Sequence, residues 1–330
     1  MRIAVFDAEE HEAALFDRFK PANIVSILAA PLGAENAADA DIVSVFIYSA
    51  LDAATLAKLP KLKLIATRST GYDHIDLAYC RAHNIAVANV PTYGENTVAE
   101  HVFALLLGLS HRMPEASARA KSGHFSPEGL QGFDLMGRTF GVIGTGNIGR
   151  HVIRIARGFE MKVIASDMRP DAALEAQLGF RYVPLDELLK TADVISLHVP
   201  ATAETENLIS ESAIAKMKQG AVIINTARGS LIEISALIRA LREGRLAGAG
   251  LDVLPEEPLI REEAELISSS FADGRDLRNL VANHVLLNLP NVIVTPHNAF
   301  NTREAVARIV ETTVSNIEAF LAGKPQNRVC

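Results

Sequence analysis

Phe140-Gly141-Val142-Ile143-Gly144-Thr145-Gly146-Asn147-Ile148-Gly149-Arg150 is the stretch that decides the fold. An apolar run enters a G-x-G-x-x-G turn, and residues 150–159 read as the helix that follows. A glycine-rich turn alone carries little information. Here a strand precedes it, a helix follows it, and a second strand at 162–167 ends in Asp167. That places a carboxylate roughly 20 residues past the turn, where dinucleotide-binding folds hold the adenosine ribose hydroxyls. Gly144 permits the tight turn, Gly146 lets backbone approach a pyrophosphate, and Gly149 lets helix and strand pack closely. The pyrophosphate then meets the positive end of the helix, with the backbone of Asn147 and Ile148 beside it. Asp167 would repel the 2′-phosphate of NADP, so NAD is the expected cofactor, although Arg169 hints the other way.

Working outward, short β-branched runs alternate with helix-like segments along almost the whole chain, the pattern of parallel α/β architecture. Before the turn, strands are predicted at 2–7, 23–28, 42–47, 62–68 and 85–90, with helices near 9–19, 53–59 and 76–83. A long amphipathic helix follows at about 96–112, ended before Pro114 because the residue preceding a proline avoids the α region. Its apolar face (Val98, Val102, Leu105, Leu106, Leu109) suits either core packing or a subunit interface. A second set of strands is predicted at 139–144, 162–167, 194–199, 221–226, 248–253 and 291–295. Residues 259–289 show no strand pattern and read as an insertion with short helices, and 303–321 as a closing helix. The fold class is therefore α/β, with two doubly wound parallel sheets.

Bulk properties narrow the function class. At 330 residues, with 49% hydrophobic, the chain can build two cores. A net charge of −7 and no Lys/Arg cluster argue against a nucleic-acid or membrane-surface partner. No apolar run approaches the roughly 20 residues of a membrane span. The N-terminus reads as a strand and not as a secretion signal. The two cysteines, Cys80 and Cys330, suggest neither a disulfide framework nor a metal site, which fits a cytoplasmic chain.

Chemistry is expected at strand ends, where open α/β sheets bind ligands. Arg228 follows the predicted strand 221–226, in Asn225-Thr226-Ala227-Arg228-Gly229; its planar guanidinium can grip a carboxylate and an adjacent carbonyl. Glu257 follows the strand at 248–253, in Leu251-Asp252-Val253-Leu254-Pro255-Glu256-Glu257. His297 follows the last strand, in Thr295-Pro296-His297-Asn298-Ala299-Phe300, and can exchange a proton near neutral pH. Each alone reads as an ordinary loop residue. Converging on one sheet edge, the three supply what hydride transfer to a 2-oxo acid requires: a cation, a general acid and a group to tune it.

These motifs, with Arg68-Ser69-Thr70-Gly71-Tyr72-Asp73-His74-Ile75-Asp76 and Asn89-Val90-Pro91, resemble the D-isomer-specific 2-hydroxyacid dehydrogenase family over nearly the whole chain. Within it the chain looks most like the D-lactate dehydrogenases. The resemblance implies that Arg228 binds the substrate carboxylate and carbonyl, His297 protonates the nascent alkoxide, and Glu257 hydrogen-bonds the imidazole. It further implies Val199, Pro200 and Thr205 on the adenine side, Thr226 and Ala227 at the nicotinamide end, and Asp252 on the carboxamide. The backbone of Thr70 and Gly71 would receive the substrate carboxylate, with Tyr93 over the pocket and Phe300 as its aromatic. Asn298 departs mildly from the family pattern. The family also implies a flavodoxin-like substrate-binding domain from 1–95 and 297–330, a Rossmann NAD domain from 96–296 and a homodimer. Other substrates (hydroxypyruvate, phosphoglycerate, phosphite) and a non-catalytic, NAD-sensing corepressor-like role stay open. The missing regulatory domain speaks against phosphoglycerate.

Overall fold

The computed structural model describes residues 1–8, 10–255 and 277–330. They form two compact units, Met1–Gly94 with Asn301–Cys330, and Glu95–Phe300.

The first unit carries five parallel strands: β1 (Arg2–Val5), β2 (Ile24–Ile27), β3 (Ile42–Val45), β4 (Leu64–Thr67) and β5 (Ala86–Ala88). Their order is β2-β1-β3-β4-β5, the flavodoxin-like arrangement. Every residue of β3 and β4 is buried, because both faces of the sheet are covered and the strands must be apolar throughout. Ile3, Val5, Ile42 and Leu64 pack with Val310, Val314 and Ile317 of the helix Arg303–Leu321, while Ala4, Phe6, Val43 and Ile65 face the opposite layer. Beyond that helix the chain returns to the sheet, and Ala88 bridges Arg328 antiparallel.

The second unit holds seven parallel strands: β6 (Thr139–Ile143), β7 (Lys162–Ser166), β8 (Arg181–Tyr182), β9 (Val194–Leu197), β10 (Ala221–Asn225), β11 (Leu246–Leu251) and β12 (Val292–Val294). The order β12-β11-β10-β9-β6-β7-β8 reverses at β6, as in a Rossmann fold. The two-residue β8 escapes a periodicity reading because so short a strand has no period. The helix Glu95–Ser110 lays Val102, Leu105 and Leu106 into the core with Phe140, Val142 and Ile224, and Val98 is buried too, so core packing accounts for most of its apolar face. The chain does not run on as coil past Pro114. Arg112 turns it with a φ of 52°, and a second helix, Met113–Lys121, begins with the proline in its first turn. A proline is tolerated there because first-turn N–H groups have no intrahelical acceptor. Of the segment read as an insertion, residues 277–289 are described, and Leu277–Leu287 is helical. No helix among the described residues is long and apolar enough to cross a membrane.

Candidate active site and cofactor cradle

The glycine-rich turn leads β6 into the helix Asn147–Gly158. Gly144 has a φ of +95°, and a Cβ there would lie 2.6 Å from the His198 carbonyl oxygen. A Cβ on Gly149 would lie 2.1 Å from the Gly144 carbonyl oxygen, so helix and turn approach closer than any side chain allows. In front of Gly146, by contrast, a Cβ would meet nothing within 4 Å. The first-turn N–H groups therefore open onto space that suits a pyrophosphate.

Asp167 stands just past β7. Its Oδ2 accepts from the N–H and hydroxyl of Thr145 at 2.7 and 2.8 Å, and its Oδ1 from the N–H of Arg169 at 2.9 Å. Burial pulls this carboxyl upward. The N–H of Arg169, the two donors of Thr145 and the charge of Arg150 outweigh that pull and hold it below the usual carboxylate range. The Thr145 hydroxyl also meets Tyr182 Oη at 2.8 Å. Beyond β9, the Thr205 hydroxyl donates to the Pro200 carbonyl at 2.7 Å and closes the loop that begins at Val199. Thr226, at the end of β10, is buried, and its hydroxyl oxygen has no protein hydrogen-bond partner. An open helix N-terminus, an ionised acid just past β7 and an orphaned hydroxyl together fit a dinucleotide.

Arg228 and His297 lie at the carboxyl edge of the same sheet, after β10 and β12, with β11 between them. Asn225 fixes the Arg228 loop: its Nδ2 donates to the Arg228 carbonyl at 2.8 Å, and its Oδ1 accepts from the Ala227 N–H at 3.0 Å. Glu257, expected after β11, lies outside the described residues.

The His297 turn has an unusual backbone. His297 has a φ of 52°, a region costly for a residue with a Cβ. Its N–H reaches the carbonyls of Asp252 and Thr295, both at 2.9 Å. The Asp252 side chain is 1% exposed, and Oδ1 accepts from the Asn298 N–H at 3.0 Å and Oδ2 from the Ala299 N–H at 2.9 Å. The structure thus gives Asp252 a role in shaping this turn that the sequence did not suggest. Two partners went unnoticed in the sequence as well. The Thr295 hydroxyl meets Asp252 Oδ1 at 2.5 Å, and His101 Nε2 meets Thr295 Oγ1 at 2.9 Å. One signal was available: His101 falls three residues after Val98 and four before Leu105, on the buried face of its helix.

In the first unit, Thr70 and Gly71 occupy the loop after β4. Thr70 Oγ1 donates to the Val90 carbonyl at 2.7 Å, Asn89 Nδ2 to the Thr70 carbonyl at 2.8 Å, and Ser69 Oγ to the Gly71 carbonyl at 2.6 Å. Arg68, buried at 1% exposure, anchors the loop by donating to the carbonyls of Phe6 and Asp7 at 2.7 Å each. The Tyr93 carbonyl accepts from Arg308 Nε.

The family profile described as D-isomer specific 2-hydroxyacid dehydrogenase, NAD binding domain, matches residues 103–299. The chain belongs to the D-isomer specific 2-hydroxyacid dehydrogenase family. A 2-hydroxyacid dehydrogenase homolog of Haemophilus influenzae is 40% identical over 286 residues, covering 86% of this chain and 84% of that one. A glycerate dehydrogenase of Methylorubrum extorquens is 40% identical over 281 residues, covering 83% and 81%. Among solved structures, the D-lactate dehydrogenase of Aquifex aeolicus complexed with NAD and lactic acid superposes with a TM-score of 0.87 at 37% identity, covering 98% of this chain and 96% of that one. The protein is thus an NAD-dependent enzyme of this family, and the cradle around Gly146 and Asp167 is consistent with that cofactor.

Proposed function

We propose that the enzyme reduces a small 2-oxo acid to the D-2-hydroxy acid, with pyruvate and D-lactate as the leading pair. The observation that carries this reading is the placement of Arg228 and His297 beyond β10 and β12 at one sheet edge, on loops held by Asn225 and Asp252. The solved D-lactate dehydrogenase with NAD and lactic acid supports the substrate pair.

In this reading the Arg228 guanidinium binds the substrate carboxylate and polarises its carbonyl. When bound, NADH would supply the hydride that the carbonyl carbon accepts. The imidazolium of His297 gives its proton to the oxygen as negative charge develops there, and Glu257 holds the ring through a hydrogen bond. In the reverse direction neutral His297 takes the hydroxyl proton. Asp252 is read as a contact of the nicotinamide carboxamide, Thr226 and Ala227 as its neighbours, and Phe300 as a pocket aromatic. Thr70, Gly71 and Tyr93 are the first unit's candidates for substrate contact.

The assembly is proposed to be a homodimer. The second unit exposes Phe125 at 83%, Met136 at 66% and Met113 at 56%, apolar surface that a partner subunit would cover. Light scattering on the purified protein tests this, and a monomer would overturn it.

The functional reading is tested by a panel of 2-oxo acids, pyruvate and hydroxypyruvate among them, with NADH and NADPH. Turnover with pyruvate and NADH, giving the D product, is expected. A similar glycerate dehydrogenase makes hydroxypyruvate the most informative competitor. If no 2-oxo acid supports NADH oxidation above background, the reading fails.

A further inference from the structure

The turn at His297 is held by groups far from it in the chain, and one of them has no part in the reaction described above. Asp252 Oδ1 lies 2.5 Å from Thr295 Oγ1, which lies 2.9 Å from His101 Nε2; the direct distance from His101 Nε2 to Asp252 Oδ1 is 3.4 Å. A carboxylate offers only lone pairs, so the single proton of the Thr295 hydroxyl is committed to Asp252. The hydroxyl oxygen must then accept from His101, which assigns the ring hydrogen to Nε2. The result is a directed relay: His101 Nε2–H to Thr295 O–H to Asp252 Oδ1. On the other side of the same carboxylate sit the N–H groups of Asn298 and Ala299, one on each oxygen.

We propose that His101 is a positioning residue that holds the His297 turn in its working conformation through Thr295 and Asp252. The proposal rests on His297 being the acid–base residue. Three features of the structure support it. His297 sits in the left-handed region, and such a conformation persists only where its surroundings over-determine it. Asp252 is the common anchor, taking His297 N–H on its backbone carbonyl and the next two N–H groups on its carboxylate. The anchor is itself buried, so once the Thr295 hydroxyl, no longer held by His101, turns away from Oδ1, it leaves an acceptor that water reaches poorly. His101 supplies the outer end of this chain from the helix Glu95–Ser110, the element that opens the second unit, while the His297 turn closes that unit at Phe300. The relay therefore ties the first and last elements of the unit together.

The geometric demand on an acid–base group is severe, since a displacement of about 1 Å can cost on the order of a hundredfold in rate. His101→Leu removes the donor and keeps an apolar side chain of suitable bulk, whereas His101→Gln keeps an N–H donor at about the same reach. Steady-state turnover of the preferred 2-oxo acid is measured together with NADH affinity by fluorescence and the isotope effect with 4-deuterated NADH. For His101→Leu, kcat is expected to fall about tenfold to a hundredfold. The Kd for NADH should stay within about threefold of the parent's, while the isotope effect rises as chemistry becomes limiting. His101→Gln should recover most of the loss. Should His101→Leu fail to fold, Thr295→Val breaks the middle of the relay and is expected to give the same signature. The proposal is overturned if the Leu variant keeps kcat within twofold, if NADH affinity falls in step with turnover, or if Gln and Leu are equally impaired. A parental enzyme inactive on every 2-oxo acid sinks the functional reading and this proposal with it. A dead His297→Ala beside a fully active His101→Leu sinks this proposal alone.

Discussion

Thr145 holds Asp167 by two hydrogen bonds to the same oxygen, its N–H at 2.7 Å and its hydroxyl at 2.8 Å from Oδ2. The first loop of the Rossmann unit and the end of its second strand are thereby locked together, with the negative charge of Asp167 fixed beside the glycine-rich turn. The acid after β7 is thus part of the framework of the glycine-rich turn.

If that charge sets cofactor choice, replacing it should shift the preference. Asp167→Ser removes the repulsion toward a 2′-phosphate and also the ribose acceptor. The ratio of kcat/KM for NADPH over NADH should rise by about tenfold or more, equivalent to about 1.4 kcal/mol, largely through a higher KM for NADH. An unchanged ratio would remove Asp167 from the specificity role.

His297→Ala separates proton transfer from binding. Loss of a general acid typically costs about a hundredfold to ten-thousandfold in rate, and kcat for 2-oxo acid reduction should fall in that range. NADH binding, measured by fluorescence titration, should be largely intact. If NADH binding disappears instead, His297 has been given the wrong role.

Gly149→Ala tests the close approach of helix and turn. The added methyl would lie 2.1 Å from the Gly144 carbonyl oxygen, a backbone atom with little freedom to yield. Overpacking of this kind costs about 1–3 kcal/mol. The melting temperature of the second unit should drop by several degrees and NADH affinity by an order of magnitude or more. A variant with parental melting and affinity would show that the turn relaxes freely.

His198 gives stability a dependence on pH. Its Nε2 lies 2.8 Å from Ser196 Oγ, and burial pushes the imidazole down from 6.5 to about 3. Between those values the unfolded chain binds a proton that the folded one does not. The contribution of His198 is therefore fully present above pH 6.5 and is lost as pH falls toward 3, at up to about 1.4 kcal/mol per pH unit. Melting temperatures at pH 7.5 and 5.5 should differ more for the parent than for His198→Asn. Equal differences would clear His198 of this role.

Much of this molecule is legible in its amino-acid sequence. The runs around Ile42, Leu64, Val194 and Ala221 read as buried strands because a parallel sheet covered on both faces demands apolar residues at every position. The turn at Gly144–Gly149 was readable because its glycines answer local steric needs, a positive φ and a close helix. Arg228 and His297 stood out because polar residues directly after strands fall at the carboxyl edge of the sheet whatever the rest of the chain does. Other features were hidden for equally physical reasons. Helix formation from Met113 needed the left-handed turn at Arg112, a backbone choice that side-chain periodicity does not record.

Chain-local chemistry thus determined the two parallel sheets, the dinucleotide turn, the acid after β7 and the strand-end placement of Arg228 and His297. These depend on periodicity, backbone sterics and turn residues, all of which act over a few positions. Tertiary structure alone decided that Asp252 clamps the His297 turn and that Thr295 and His101 complete the clamp. Asp252 meets Thr295 across 43 positions and Thr295 meets His101 across 194. Hydrogen bonds over such separations exist only once the helix Glu95–Ser110 and the ends of β11 and β12 have packed together, which no local pattern encodes.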